Sequence, residues 1–228
     1  MPVHRREYQQ LEPLLRAARA AAVLTHIHPD GDGVGSGLAL ARYLSRRGMD
    51  ARFIITHPLP LSLQFLAPDG EAILYEGPAQ SEFIRSCDLI FTVDNSSVSR
   101  LGPTEDDVNA SKGTRICIDH HLVRNDFWQV NIIDEEASAT GEMIYDCIEE
   151  LGGEIDRDMA AGIYVAIWTD TGGFRFPKTS GKVHHLVARL LDLGVLPHQV
   201  YGELNERQTT ASMRALKMSQ PCSASSGP

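Results

Sequence analysis

Five aspartates and three histidines of this 228-residue chain stand where apolar runs end. His26, Asp30 and Asp32 lie in HIHPDGD after AAVLT, and Asp94 closes DLIFTVD. Asp119, His120 and His121 close TRICIDHH, and Asp170 lies near the end of AGIYVAIWTDT. Carboxylates and imidazoles are costly to bury beside such runs unless they are paired or bound to a metal. Four recurrences therefore imply strand ends that converge on a metal centre. A mixed set of imidazole and carboxylate donors suits Mn²⁺ better than Ca²⁺, with Mg²⁺ or Co²⁺ able to substitute. The set exceeds what one ion needs, and two ions bridged by one carboxylate is the simplest arrangement. Such ions stand about 3.5–4 Å apart, activate a water and stabilise charge on phosphoryl oxygens during in-line displacement. The chemistry expected is that of a two-metal phosphohydrolase.

Each cluster also has a plainer reading. Asp30 and Asp32 sit in a Gly-rich turn, where an Asp commonly caps a helix. The segment GDGVGSG is weakly similar to a G-x-G-x-x-G phosphate loop, but its acidic residues would repel a bare pyrophosphate. Asp94 reads as a turn residue after a strand, and Arg100 downstream as a bidentate phosphate ligand or a surface residue. His120 and His121 on an extended segment should point in opposite directions, so that only one faces a given metal. Asp119 would then accept a hydrogen bond from the metal-bound imidazole. Asp170 reads as the last turn of a helix stopped by Gly172-Gly173. His184-His185, on an amphipathic helix without acidic partners, reads as structural or exposed.

The elements that must position these residues alternate. Residues 5–20 have helical apolar spacing and lead into the strand AAVLT. The Gly-rich turn precedes the helix LALARYLSRRG, and ARFIIT is a second strand. Leu61–Leu66 and Ser81–Arg85 read as short helices, DLIFTVD and RICIDHH as strands, and WQVNII as a fifth strand. From Ser138 the pattern is helical, ending in two short helices within VLPHQVYGELNERQTTASMRALKMSQ. The fold class expected is a layered α/β domain with a mainly parallel sheet flanked by helices. Ligands bind such sheets at the carboxyl ends of the strands, where three of the four clusters lie.

Composition narrows the partners. The chain is 43% hydrophobic and 22% charged, and carries a formal net charge of −9. Long nucleic acids need a basic surface, so any nucleotide handled should be small. No apolar stretch reaches membrane-spanning length and the N-terminus lacks a signal-peptide core, so the expected location is the cytoplasm, away from membranes. The four cysteines form no C-x-x-C pair, which argues against a zinc knuckle or disulfide framework.

The motifs HIHPDGDGVGS, VDNSSVSRLG, IDHH and TDTGGFRF, in this order, resemble the four motifs of the DHH phosphoesterase family, and within it the oligoribonuclease/pAp-phosphatase (nanoRNase) branch. The resemblance covers roughly residues 10–215. It implies a first metal held by His26, Asp30 and Asp94, and a second held by Asp32, Asp94, His120 and Asp170. It further implies that His121 lies beside the substrate phosphate, orienting it or protonating the leaving oxygen, with Asp119 as a supporting partner. Implied substrates are small nucleotides: 3′,5′-bisphosphates such as pAp, or very short RNA. Pyrophosphatase, dinucleotide phosphodiesterase, RecJ-type exonuclease and a metal- or nucleotide-binding remnant with little turnover are the alternatives, and a homodimer is an option. The expected organisation is a catalytic domain over 1–194, a helical linker over 195–218 and a disordered tail over 219–228. No GGGH-like segment of the family's second, substrate-gripping domain is found, so that domain is expected to be absent.

Overall fold

The structure, a computed structural model, describes residues 4–122 and 126–207. Six strands, β1 (Ala20–Leu24), β2 (Asp50–Ile55), β3 (Ala72–Leu74), β4 (Leu89–Val93), β5 (Thr114–Asp119) and β6 (Val130–Ile133), form one sheet in the order β3-β2-β1-β4-β5-β6. All five pairings are parallel. The expected mainly parallel sheet is thus wholly parallel. β3 was not legible as a strand, since three half-buried edge residues carry too little pattern.

Side chains alternate between two cores, as strand geometry requires. Ala21 and Val23 of β1 face one, and Ala22 and Leu24 face the other. Helices α1 (Arg5–Gln9), α2 (Leu11–Ala17), α3 (Gly31–Arg46), α6 (Thr140–Glu150), α7 (Arg157–Asp170) and α8 (Gly181–Asp192) supply the larger core. Helices α4 (Pro78–Ser86) and α5 (Glu105–Ala110) cover the opposite face. A short α9 (Pro197–Tyr201) and one wide helical turn follow α8. The second helix expected after it, and the expected tail, fall outside the described residues.

Two local differences have clear causes. The helix expected over 5–20 is broken at Gln10, because Pro13 has no N–H and its ring crowds the carbonyl one turn earlier. More consequentially, the segment read as a Gly-rich turn before the helix is itself helical. α3 begins at Gly31, so four glycines lie inside the helix. That costs helix propensity, and the packing of α3 against α7 explains it. Residue pairs Arg42–Asp158, Gly35–Gly162 and Gly31–Thr169 show that the two helices run antiparallel. The start of α3 therefore meets the end of α7, and Asp170 is delivered to Asp32.

Candidate metal centre

Asp30 is the N-cap of α3: its Oδ1 accepts from the N–H groups of Asp32 and Gly33 at 3.0 and 3.1 Å. The bland cap and the functional residue are the same side chain, which is over half exposed and faces His26 Nε2 at 3.9 Å. Asp32, in the first turn of the helix, is completely buried. Its oxygens accept from Ser36 Oγ at 2.9 Å and from the backbone N–H groups of Thr140 and Gly141 at 2.7 and 2.9 Å. The start of α6, where N–H groups lack helical partners, thus holds this carboxylate. Neither Ser36 nor Thr140 stood out in the sequence. The only available signal was that TGE opens a helix.

Asp94 follows β4 with a left-handed backbone (φ 54°) that Asp tolerates better than most residues. Its N–H extends the ladder to the Ile118 carbonyl. The next residues are pinned from below: Trp128 Nε1 donates to the Ser96 carbonyl at 3.0 Å, and Ser97 N–H to Asn95 Oδ1 at 3.2 Å. So fixed, Asp94 offers its two oxygens to different neighbours. Oδ2 lies 3.3 Å from His26 Nε2, and Oδ1 lies 3.7 Å from His120 Nε2.

Both of these imidazoles are oriented by backbone. His26 Nδ1 lies 2.7 Å from the Ile27 carbonyl and His120 Nδ1 lies 3.4 Å from the Ala137 carbonyl. A carbonyl only accepts, so Nδ1 carries the proton, and in the neutral ring Nε2 is bare for a metal. His120 Nε2 stands 3.1 Å from Asp170 Oδ2, 3.6 Å from Asp32 Oδ2 and 3.7 Å from Asp94 Oδ1. It is buried, yet no contact is directed as a hydrogen bond.

The strand ends at Asp119, and with it the alternation expected of His120 and His121. The two rings meet edge to face at 4.4 Å, and both approach Asp94. Asp119 also serves a different histidine from the one expected. Its Oδ1 accepts from His121 Nδ1 at 2.9 Å and from the His121 N–H at 3.1 Å, while His120 depends on Ala137. Arg100, in a 3₁₀ segment over Val98–Thr104, is exposed and makes no ion pair among the described residues. Its carbonyl accepts from the Ile27 N–H at 2.9 Å, tying this segment to the loop that carries His26.

Three donor groups result, each with atoms within 4.8 Å of one another: His26, Asp30 and Asp94; Asp32, His120 and Asp170; and Asp94, Asp119, His120 and His121. Every expected metal-ligating residue falls in one of them. Among the described residues, no Lys or Arg pairs with these aspartates, and the electrostatics show the consequence. Burial, then repulsion from Asp94 and Asp170, pushes the Asp32 carboxyl well up. Burial likewise raises Asp94, against the attraction of His26. Burial opposes charge on the histidines, but Asp30 and Asp94 raise the His26 pKa to about 10, and Asp170, Asp32 and Asp94 raise that of His120 to about 9. Burial also disfavours an ionised Asp119, but His121 and Ser96 hold its pKa below the ordinary value. Crowded acids short of positive charge, around a buried imidazole nitrogen that makes no directed hydrogen bond among the described residues, are the donor chemistry of a divalent-cation centre.

A wholly parallel α/β sheet with acids and imidazoles gathered at its strand ends defines the class, and the family model for the DHH family, N-terminal domain, matches residues 20–167. The chain belongs to the DHH family. It is 33% identical over 175 residues to a Thermus thermophilus protein named bifunctional oligoribonuclease and PAP phosphatase NrnA, covering 76% of this chain and 50% of that one. A Bacillus subtilis protein of the same name is 27% identical, with 79% and 55% covered. The chain thus spans about half the length of these curated relatives. The crystal structure of an exopolyphosphatase-related protein from Bacteroides fragilis superposes with a TM-score of 0.88 at 26% identity, covering 93% of this chain and 64% of that one. Among the described residues, no helix is long and apolar enough to cross a membrane.

Proposed function

We propose that this chain is a divalent-cation-dependent phosphoesterase for small nucleotides. It would release phosphate from a nucleoside 3′,5′-bisphosphate such as pAp, or mononucleotides from RNA a few residues long. The observation carrying this reading is the division of Asp94 between two donor groups, one oxygen toward His26 and the other toward His120. His26, Asp30 and Asp94 would hold one cation, and Asp32, Asp94, His120 and Asp170 a second. The mixed donors favour Mn²⁺. When bound, the cations supply a water nucleophile and neutralise phosphoryl charge.

The chain's own residues do the rest. In their neutral form His26 and His120 would present a bare Nε2 to a cation, because backbone carbonyls hold the Nδ1 protons. Asp119 fixes the half-exposed His121 beside Asp94, leaving its Nε2 to orient a phosphate or give a proton to the leaving oxygen. The net charge of −9 fits short substrates, whose few phosphates the cations can neutralise.

The test is Mn²⁺-dependent release of phosphate from pAp, or of mononucleotide from diribonucleotides, compared with Asp94→Asn. A second reading is metal and nucleotide binding with little turnover. Metal-loaded wild type no faster than the variant would favour it.

A further inference from the structure

Two histidines adjoin this centre without belonging to its donor groups. His28 lies on the β1–α3 connection, two residues after His26 and two before Asp30. His57 follows the end of the neighbouring strand β2. Their rings stack with centroids 3.8 Å apart and planes tilted by 39°. The His28 N–H donates to His57 Nδ1 at 3.4 Å, and Thr56 Oγ1 lies 3.2 Å from the same nitrogen. A nitrogen that accepts from a backbone N–H carries no proton, so the ring proton of His57 is on Nε2, available to a ligand. His28 is exposed, holds a left-handed backbone at φ 54°, and among the described residues its ring makes no hydrogen bond.

The contrast with the centre is informative. His26, His120 and His121 each face carboxylates, whereas His28 and His57 make no ion pair among the described residues. Their N–H groups are uncommitted donors on an acidic protein, beside a site that would hold a phosphate. Because β2 flanks β1 on the side away from β4, the pair extends the site along the sheet, opposite to His120 and His121.

We infer that His28 and His57 form a subsite for the second, non-reacting phosphate of a bisphosphorylated nucleotide. This rests on the reading of the centre as a phosphoesterase. The rings already spend their inner faces on each other and offer N–H edges, which suits phosphate oxygens. A base would use a ring face instead. The pair would then set selectivity among phosphorylated substrates and take no part in bond breaking.

The experiment compares kcat and KM for a nucleoside 3′,5′-bisphosphate and for a nucleoside monophosphate ester with the same base, in wild type, His28→Gly and His57→Ala. Glycine keeps the left-handed backbone of position 28 free of strain. The expected result is a rise in KM for the bisphosphate of about 10-fold or more, as a lost charge-assisted hydrogen bond implies, and a fall in the preference for bisphosphate over monophosphate. Equal losses on both substrates would assign the pair to the base or ribose and overturn the inference, as would no loss on either. The second readout is the imidazole proton resonances of His28 and His57. They should shift on titration with the bisphosphate and not with the unphosphorylated nucleoside. If wild type turns over neither substrate with any divalent cation, the phosphoesterase reading fails. The resonance titration then decides the subsite by itself, and silent resonances would overturn it.

Discussion

Gly35 and Gly162 lie backbone to backbone: a Cβ on Gly35 would stand 2.1 Å from the carbonyl oxygen of Gly162, and one on Gly162 2.7 Å from that of Gly35. This contact sets the separation of α3 and α7, and hence the distance from Asp32 to Asp170. Alanine would normally favour each helix by about 1 kcal/mol, but here the backbone must move. Gly35→Ala should destabilise the protein by roughly 1–3 kcal/mol and weaken the donor group containing Asp170. Thermal unfolding with metal titration checks this. An unchanged midpoint would mean that the helices can part freely.

Asp94→Asn should have opposite effects with and without metal. Asparagine keeps the shape and tolerates the positive φ. It removes one of the crowded charges that raise the Asp32 pKa and whose own ionisation is disfavoured by burial. In chelator-treated protein the variant should melt at or above the wild-type temperature. With Mn²⁺ added, wild type should gain stability and bind about two equivalents, and the variant should gain little. Elemental analysis and melting curves in both conditions read this out. Melting midpoints lower by the same amount in both would show that Asp94 is merely structural.

Asp119→Asn should slow turnover by about 10–100-fold at unchanged metal content. Its Oδ1 accepts from the His121 ring and backbone N–H at 2.9 and 3.1 Å, with Ser96 as a further hydrogen-bonding neighbour of the carboxylate. A fall in bound metal matching the fall in rate would show that Asp119 supports the cations instead.

The Glu12–Arg47 pair supplies a test of pH dependence far from the site. Arg47 grips both Glu12 oxygens at 2.8 and 2.9 Å, joining α2 to the end of α3. The hydrogen bonds from Arg47 and then Arg16 lower the Glu12 pKa from 4.5 to about 2. A carboxylate depressed on folding contributes stability above its unfolded pKa and loses it as pH falls through the folded value. Glu12→Gln should therefore be less stable than wild type at pH 7, with the gap closing between about pH 4.5 and 2. Urea unfolding at pH 7 and pH 3 tests this. A gap that is constant with pH would point to packing alone.

The sheet, the helical layer and the convergence of four acidic segments were legible because each depends on local pattern: apolar runs, their ends and the residue types there. What was not legible depends on contacts between distant segments. The glycines before Leu38 read as a turn because nothing nearby shows that Gly162 would lie against Gly35. Asp119 was expected to orient His120. Where the strand stops decides the matter, and Ala137, seventeen residues downstream of His120, supplies the carbonyl instead. The stack of His28 on His57 joins the ends of two parallel strands and leaves no trace in either segment alone.

All six strands precede residue 134, while the N–H groups that hold Asp32 come from α6 and Asp170 ends α7. The two donor groups therefore differ in when a growing chain can complete them. His26, Asp30 and Asp94 need only the sheet and the start of α3, whereas the group around Asp32 and His120 must wait for the helices that follow. A single centre thus draws its donors from both halves of the chain, and the Asp32 group is complete only once α6 and α7 have been synthesised.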